Sequence, residues 1–578
     1  MSCFDGVKIN YINSVGDAAE FMRWLGERRT VLAFDTETEG LHYWSQNCRL
    51  AQFGDARTGW VIPFERWSGV VEEVFKKYTE PITGHNIRFD ARFMWHHGID
   101  VGMHRLHDTM LSANAVWPND RLSLKHLAST QLDPGAAQGE AALADAMSAG
   151  HWNWATVPLD LPQYWGYAGL DTVLSAQLFE HIDPLLDREG VRGVYDLECA
   201  VSAALFKMET RGAAIDVPFS VEKFHELRAY ADSLREWAQS QYGVSLGSNA
   251  QLIQVLRNEG VTFTKRTKSG KSFALDEEVL SSIDHPLAQS ALNMRKSEKV
   301  ASAYFGNFIQ LNDNGRLHCS VKQVGARTGR MSITEPALQT LPRDNKIVRA
   351  AFRPYEGDKL VSIDYSQIEM RIFAHFAQEE EMIKRIRAGI NLHRATAQVV
   401  YGTEDVTLEQ YTRMKNTNFS KVYGAGSTKF AATAGITEQE GAVIYDAYDR
   451  AFPGVKVFMN QVGQVAKRRL REEGRAYVRE MGGRLHVVDN EDEIYKLTNH
   501  LIQGTAATVL KEKIVALDLS GFGDHMVLPI HDEVMFSFPE DDATEMTLAA
   551  VSVMEDRDRF LVPLEVDASQ PMDRWEKS

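Results

Sequence analysis

The chain has 578 residues, 44% of them hydrophobic and 25% charged, and a formal net charge of −16. This composition is typical of globular proteins, and the length predicts several domains. No uncharged apolar run is long enough to span a membrane, and the N-terminus lacks the pattern of a secretory signal. The four cysteines include no C-x-x-C pair, which excludes a disulfide framework and a cysteine zinc site and favours a reducing cytoplasm.

Positive charge is concentrated in residues 261–330. This segment contains eleven Lys and Arg against six Asp and Glu, a balance of +5 within an acidic chain. One explanation is a solvated face. The other is a nucleic-acid-binding surface, because proteins that bind nucleic acids carry a basic footprint.

Short apolar runs alternate with helical periodicity over residues 1–190, which predicts an α/β domain. We expect a buried strand at 31–34, helices at 86–96 and 162–182, and a loop with a small helix at 133–150.

From about residue 191 the pattern changes to long amphipathic helices. Helices are predicted at 218–242 and 286–311, with the basic loop TKRTKSGKS between them. Residues 405–490 are predicted to be mostly helical, and residues 526–538 to form two strands around a tight turn.

Four acidic residues and a tyrosine in the first region occur at spacings that bring them together. Asp35 and Glu37 end a buried strand with one residue between them, so both carboxylates lie on one face. Asp90 lies in a predicted helix, and Asp171 lies four residues after Tyr167 on one face of another. Such a group of acids predicts a pair of Mg2+ ions, which prefer oxygen ligands and serve phosphoryl displacement in nucleases and polymerases.

Four histidines near Asp108 offer a competing metal site. His96, His97, His104 and His107 are close enough in sequence to bind zinc. Their spacing fits no standard zinc pattern, however, so we favour structural and surface roles for them.

A stripe of aromatic residues with a lysine in it marks a helix in the second region. Tyr411, Lys415, Phe419 and Tyr423 recur every four residues and so share one helical face. A helix that only buries aromatic rings would not include Lys415, because an unpaired buried ammonium is costly. A nucleoside triphosphate explains the pattern, with Lys415 at the phosphates and the rings against sugar and base.

Two aspartates flank this helix in sequence. Asp364 ends a predicted strand over 359–365, and Asp532 lies in the predicted turn within IHDEV. In chain order, DYSQIEMR, K-x-x-x-F-x-x-x-YG and HDEV resemble motifs A, B and C of family A DNA polymerases, the DNA polymerase I type. The segments ARTGRMSITEPALQTLP and NHLIQGTAA are similar to the primer–template-binding segments of that family. The acids and tyrosine of the first region resemble the proofreading 3′–5′ exonucleases of the four-carboxylate type.

The resemblance runs from about residue 28 to the C-terminus and implies the fold. An RNase H-like α/β exonuclease domain would span 1–190, and a right-hand polymerase domain of α+β type would span 191–578. The polymerase would divide into thumb, palm and fingers, at about 200–320, at about 321–404 with 491–578, and at about 405–490. Nothing resembles the separate 5′-nuclease domain of the family, nor the thumb insertion by which one viral branch recruits thioredoxin. This compact organisation suits a bacteriophage and leaves an organellar or bacterial origin open.

The resemblance also assigns roles to individual residues. The metal-binding acids would be Asp364, Asp532, Asp35, Glu37, Asp90 and Asp171. Tyr167 would help position the attacking water, and Glu533 would assist the polymerase acids. Two Mg2+ ions are implied for each active site, and Mn2+ is expected to substitute.

Nucleotide and DNA contacts are implied in the same way. Glu369 would block a ribose 2′-hydroxyl, and the other nucleotide-binding residues would be His393, Lys415, Phe419 and Tyr423. The DNA-binding residues would be Lys265, Arg266, Lys268 and Lys271 at the thumb tip, and Arg330, Asn499, Gln503 and His531 near the primer terminus. The expected partners are primer–template DNA, dNTPs and replisome proteins such as a helicase or single-strand-binding protein. We expect a monomer in the cytoplasm, that of the bacterial host if the protein is viral.

The chain departs from the family pattern in the motif B helix. Tyr411 lies where family members usually carry arginine, and Arg413 lies about 200° around the helix from Lys415. Ser420 replaces the usual glycine. Two other functions share some of these features, a single-subunit RNA polymerase and a non-catalytic DNA-binding scaffold. Glu369 and the exonuclease acids argue against the first, and the complete set of acids argues against the second.

Overall fold

The computed structural model describes residues 6–267, 269–341 and 346–576. The strands of the N-terminal region are β1 (Lys8–Tyr11), β2 (Leu32–Thr38), β3 (Cys48–Gly54), β4 (Thr58–Pro63), β5 (Ile82–Gly84) and β6 (Leu106–Asp108). Its helices are α1 (Val15–Leu25), α2 (Phe64–Lys77), α3 (Arg88–His96), α4 (Thr109–Val116), α5 (Leu124–Gln131), α6 (Gln138–Gly150) and α7 (Pro162–Arg188). The strands form one mixed sheet in the order β1-β4-β3-β2-β5-β6.

Strand β2 lies inside this sheet, between β3 and β5, and nearly all of its residues are buried. Helix α7 packs against β2 and β3. It begins at Pro162, which is favourable because the first helical N–H has no partner within the helix. The predicted strand at 31–34 is confirmed, but it continues through Asp35 and Glu37 to Thr38.

Residues 133–150 differ from the predicted loop with a small helix. Pro134–Ala137 forms a short 3-10 turn, and Gln138–Gly150 is a full α-helix. Alanine has the highest helix propensity, and Leu143 anchors the helix because its side chain is buried. The Ala- and Gly-rich composition suggested a loop, but most of this segment is helical.

The C-terminal region begins with long helices. Its helices are α8 (Arg192–Arg211), α9 (Val217–Tyr242), α10 (Asn249–Asn258), α11 (Glu277–Ser282), α12 (Pro286–Val300), α13 (Asn307–Gln310), α14 (Lys346–Arg349), α15 (Ile368–Ala377), α16 (Glu380–Arg387), α17 (Leu392–Tyr401), α18 (Leu408–Val422), α19 (Ser427–Ala434), α20 (Glu438–Ala451), α21 (Pro453–Glu473), α22 (Lys496–Leu517) and α23 (Ala543–Met554). Its strands are β7 (Ala213–Ala214), β8 (Asn312–Asp313), β9 (Arg316–Leu317), β10 (Ser320–Lys322), β11 (Ser332–Thr334), β12 (Asp358–Tyr365), β13 (Ala476–Arg479), β14 (Leu485–Val488), β15 (Met526–Ile530), β16 (Glu533–Pro539) and β17 (Val566–Ala568).

An antiparallel sheet in the order β15-β16-β12-β17 forms the centre of this region. Strands β15 and β16 form the predicted hairpin, with His531 and Asp532 in its turn. His531 has φ of 56°, the left-handed conformation that a tight turn requires. The prediction for 405–490 is confirmed through α21, but residues 476–488 form the hairpin β13–β14 instead of a helix.

The two regions meet at a buried polar junction. Glu209 Oε2 on α8 forms ion pairs with Arg88 Nε at 3.1 Å and with Arg92 Nη1 at 3.3 Å, and both arginines lie on α3. Arg88 also donates to Gln323 Oε1 at 2.6 Å. Helix α3 of the N-terminal region is therefore anchored by charges of the C-terminal region.

Three further expectations concern membrane-spanning helices, one DNA-binding residue and the boundary between the two domains. No helix within the described ranges has both the length and the apolar character to span a membrane. Lys268, predicted to bind DNA, lies outside the described residues. The predicted domain boundary after residue 190 falls between α7 and α8 and stays a prediction.

Candidate active sites

Three predicted acids of the N-terminal region meet in one cluster. Asp35 and Glu37 lie on β2, Asp171 lies on α7, and one carboxylate oxygen of each lies within 4.8 Å of those of the other two. The alternation of side chains along β2 puts the first two on the face that α7 covers. Among the described residues this is the one group of His, Cys, Asp or Glu close enough to hold a metal ion.

Asp90, the fourth predicted acid, lies beside this cluster rather than within the group of three. Its Oδ1 accepts from the Thr36 backbone N–H at 2.9 Å and from the Thr36 hydroxyl at 2.6 Å. Thr36 lies between Asp35 and Glu37 on β2, so these bonds hold helix α3 against that strand.

The acids of this cluster affect one another's pKa because they lie close together and are largely buried. Burial raises the pKa of Asp35 to about 6. Burial, with the Asp35 charge as the next cause, also raises the pKa of Glu37 and of Asp90. Buried carboxylates ionise together only when a cation balances them, so the oxygen-rich site fits hard divalent ions.

The structure adds Lys125, which the sequence analysis missed. Its Nζ, carried by α5, donates to Asp171 Oδ1 and lies 4.4 Å from the centre of the Tyr167 ring. Burial lowers the pKa of Lys125 to about 8 although Asp35 and Glu37 oppose that shift. Periodicity along one helix cannot reveal Lys125, because it comes from a different helix than Asp171 and Tyr167.

The histidines near Asp108 have structural partners instead of a zinc site. His97 Nε2 accepts from the Cys48 N–H at 3.4 Å, and its ring lies 4.7 Å from that of Phe64. His107 Nδ1 lies 3.0 Å from the Tyr195 hydroxyl. These contacts favour the structural role that the sequence analysis preferred.

The second group of acids is built on the C-terminal sheet. Asp364 on β12 is paired in register with Glu533 on β16, and Asp532 lies in the turn immediately before β16. The Ser362 hydroxyl donates to Glu533, so Ser362 and Asp364 lie on the same face of the strand. The hairpin thus brings together acids that are far apart in sequence.

Arg330 balances part of this acidic group. Its Nη2 donates to Glu369 Oε1 and lies 3.5 Å from Asp532 Oδ1. Gln503 Nε2 also lies 3.5 Å from Glu369 Oε1. Burial raises the pKa of Glu369, although Arg330 opposes this effect.

A cavity of about 550 Å³ connects these acids to the predicted nucleotide-binding helix. It is lined by Arg330, Asp364, Tyr365, Gln367, Ile368, Glu369, Met370, Asn391, His393, Tyr411, Lys415, Phe419, Tyr423, His531 and Asp532. Helix α18 presents the aromatic stripe, and its start is fixed by a capping box between Thr407 and Gln410. The cavity therefore brings Asp364 and Asp532 together with the predicted nucleotide-binding residues, while Glu533 lies outside its lining.

Besides Lys415, the described residues that line the cavity include one other lysine or arginine, Arg330, and its guanidinium pairs with Glu369. Arg413 pairs with Glu409 at 2.9 Å, and Arg394 is exposed outside the lining. Tyr411 packs edge-on against His393, with ring centres 6.1 Å apart. The cationic side chains of the described lining are thus Arg330 and Lys415.

The predicted DNA-binding residues lie in different settings. Lys265 pairs with Glu278 and, at 2.9 Å, with Asp276, while Arg266 donates to the Gly270 carbonyl at 3.1 Å. Lys271 is exposed in the same loop. On α22, the buried Asn499 Oδ1 has no partner within the described residues, and Gln503 reaches Glu369.

Comparison with known sequences decides the family. The sequence model of DNA polymerase family A matches residues 220–577, and that of the 3′–5′ exonuclease matches residues 12–187. The chain belongs to DNA polymerase family A. This confirms the predicted polymerase with its exonuclease domain and excludes the RNA polymerase and scaffold alternatives.

Relatives of the polymerase come from phages and bacteria. It is 29% identical to the DNA polymerase of Mycobacterium phage L5, over 93% of this chain and 92% of the phage protein. It is 30% identical to the thermostable DNA polymerase I of Thermus filiformis, over 68% of this chain and 50% of that protein. The polymerase therefore spans about half the length of this bacterial relative and nearly all of the phage one.

A solved structure confirms the fold. The POL domain of Pol1 from M. smegmatis, determined with DNA primer-template and dNTP, has a TM-score of 0.81 and 24% sequence identity. The match covers 98% of this chain and 99% of the mycobacterial one. An exonuclease region followed by a family A polymerase region is thus the architecture of this chain.

Proposed function

We propose that the polymerase extends a primer 3′ end at the 550 Å³ cavity and removes mispaired ends at the Asp35 cluster. This assignment rests on one observation. Asp364, Asp532 and Lys415 are distant in sequence but line the same cavity. The Asp35 cluster lies in the N-terminal region, which the sequence model of the 3′–5′ exonuclease matches.

Asp364 and Asp532 would hold two Mg2+ ions, with Glu533 assisting, and Mn2+ would substitute. The fit rests on chemistry, since these carboxylates line the same cavity and hard divalent ions prefer oxygen ligands. Bound metal ions supply charge stabilisation to the attacking and leaving oxygens of phosphoryl transfer. The same argument assigns Asp35, Glu37, Asp90 and Asp171 to the exonuclease metals.

The side chains around the polymerase acids would select and orient the nucleotide. Lys415 would neutralise phosphate charge and His393 would contact the triphosphate, while Phe419 and Tyr423 would pack against sugar and base. Glu369, fixed by Arg330 and Gln503, would occupy the space beside C2′ and exclude a ribose hydroxyl. The primer 3′-hydroxyl would then attack the α-phosphorus of the dNTP, and pyrophosphate would leave.

At the exonuclease site, Tyr167 would help position the water that attacks the terminal phosphodiester. The contact of its ring with Lys125 supports a fixed orientation for this tyrosine. Asn86 and Arg88 line a neighbouring cavity of about 520 Å³ between α3 and strands β10 and β11. We assign this cavity to the frayed primer strand, because it opens between the two regions that must exchange the 3′ end.

Primer–template DNA and dNTPs are the proposed partners of this chain. Asn499, Gln503, Arg330 and His531 would contact DNA near the primer terminus, and the 265–271 loop would follow duplex phosphates without reading sequence. The phage relative supports a bacterial host cytoplasm as the place of action. A monomeric state, replisome partners and the limits of thumb, palm and fingers remain predictions.

The test separates the two sites with matched variants. Asp35→Ala with Glu37→Ala should abolish 3′ degradation and leave primer extension, whereas Asp364→Ala or Asp532→Ala should do the reverse. Each variant is the folding control for the other, because both activities are measured on the same full-length preparations. Loss of both activities in a well-folded variant from either set would contradict the two-site assignment.

A further inference from the structure

A buried asparagine contacts the histidine of the nucleotide cavity. Asn418 lies on α18 immediately before Phe419, and its side chain is fully buried. Its Nδ2 lies 3.0 Å from His393 Nδ1 and 3.1 Å from Thr396 Oγ1. His393 itself is buried among the residues that line the cavity.

The direction of these hydrogen bonds follows from Thr396. Its hydroxyl donates to the Leu392 carbonyl at 2.7 Å, which is much closer than its 3.4 Å approach to Asn418 Oδ1. Thr396 Oγ1 is therefore an acceptor for the Asn418 amide, and the second amide hydrogen points to His393 Nδ1. A neutral imidazole has one N–H, so with Nδ1 accepting, the proton of His393 lies on Nε2.

The surroundings keep the His393 ring neutral. Burial lowers its pKa to about 4, and the positive charge of Lys415 contributes to this shift. From α18, the groups that face the ring are Lys415, the Tyr411 ring at 6.1 Å and the Phe419 ring at 5.4 Å. On its own helix, His393 follows the cap residue Asn391, whose side chain accepts from the backbone N–H of His393. None of these groups offers a negative charge that would stabilise an imidazolium.

We propose that Asn418 is a positioning residue for nucleotide binding, which holds His393 in the tautomer that offers Nε2–H to the triphosphate. The inference rests on the proposed contact between His393 and the triphosphate. It gives this pocket a neutral donor whose strength does not change between pH 6 and 8.5. Such a donor complements the phosphates without adding a charge beside Lys415.

Asn418→Asp is the decisive variant, because a carboxylate accepts where the amide donates. It reverses the tautomer by binding Nδ1–H, and it raises the pKa of the imidazole. Below that pKa the imidazolium still donates from Nε2. Above it the neutral ring keeps its proton on Nδ1, and the Nε2 lone pair then faces the phosphates. The KM for dNTP, relative to the native enzyme at the same pH, should therefore rise roughly tenfold between pH 6 and 8.5, with kcat changed far less.

His393→Gln supplies the control, since its amide keeps an N–H donor that does not titrate. In this background, Asn418→Asp should give a KM ratio that stays flat with pH. Exonuclease activity on single-stranded DNA, measured on the same preparations, checks that each variant is folded. A flat ratio for Asn418→Asp in the native background would overturn the proposal.

Two further measurements separate this proposal from the function on which it rests. If His393→Ala leaves the KM for dNTP unchanged, the proposed triphosphate contact itself fails. If it raises the KM but Asn418→Asp shows no pH dependence, the contact holds and the tautomer assignment fails. Nitrogen-15 spectra of histidine-labelled full-length protein, with the His393 signal assigned by its loss in His393→Gln, should show an Nε2–H tautomer. An Nδ1–H signal in the native protein would contradict the assignment directly.

Discussion

In the exonuclease cluster, Asp35, Glu37 and Asp171 lie within 4.8 Å of one another, and the Lys125 ammonium balances them deep in the protein. In the polymerase cavity, Arg330 pairs with the buried Glu369 and lies 3.5 Å from the partly exposed Asp532. The side chains of Lys125 and Asp171 are 12% and 9% exposed, whereas those of Arg330 and Asp532 are 30% and 29% exposed. We therefore expect the exonuclease acids to depend more strongly on their internal cation, because solvent reaches Arg330 and Asp532 more than Lys125 and Asp171.

The largest expected effect tests this dependence through stability. Lys125→Met should lower the free energy of unfolding by about 3 kcal/mol in EDTA, because it leaves buried carboxylates uncompensated. The matched Arg330→Met change should cost less, about 2 kcal/mol, because solvent reaches Arg330 and Asp532 while Glu369 stays buried without its cation. Chemical unfolding of the full chain measures both. Added Mn2+ should restore much of the loss for Lys125→Met, and an equal loss with and without the metal would contradict the comparison.

Lys415→Ala tests the charge balance on the polymerase side. This cation faces the proposed triphosphate, so its removal should lower kcat/KM for dNTP about 100-fold, or about 2.7 kcal/mol. Exonuclease activity should be unchanged, because Lys415 lies in the other site. Any other single alanine change on α18 that proves more damaging would show that Lys415 is not the main phosphate contact.

Glu369→Ala examines sugar selection beside Arg330. An added 2′-hydroxyl would clash with Glu369, so the variant should incorporate ribonucleotides at least about tenfold more readily relative to dNTPs. The ratio of the two kcat/KM values measures this effect, and an unchanged ratio would place the sugar gate elsewhere. Phe419→Tyr is a useful companion, because it should instead relax discrimination against dideoxynucleotides.

The smallest effect concerns the residue that departs from the family pattern. Tyr411→Arg should lower the KM for dNTP about threefold, because a charge-assisted bond is stronger than the neutral bond that tyrosine can offer. Steady-state kinetics would detect the change. A loss of kcat/KM on Arg394→Ala would instead identify Arg394 as the replacement cation, although it lies outside the described cavity lining.

Local patterns in the sequence predicted which residues lie together on a single strand or a single helix. The alternation in β2 placed Asp35 and Glu37 together, and four-residue spacing placed Tyr167 near Asp171. Contacts between elements were inaccessible to such patterns. Lys125 reaches Asp171 from another helix, and the fold pairs Arg330 with Glu369 across 39 residues.

The sequence did not identify two short elements, for related reasons. Residues 133–150 contain glycines that favour a loop by composition, but Leu143 packs in a buried cluster and stabilises a helix. The 476–488 hairpin pairs Ala476 with Val488 across a turn, and its strands are short enough to be mistaken for the end of a helical region. In both places tertiary packing decided the outcome.

The anchoring of α3 limits how freely the two activities can be separated by protein engineering. Arg88 and Arg92 flank Asp90 on that helix, and their carboxylate partner, Glu209, belongs to the following region. A graft of residues 1–190 onto another polymerase would leave two buried guanidinium groups without that carboxylate. The exonuclease region therefore cannot be transferred alone. The recipient polymerase must supply an acid at the equivalent position of its own first long helix.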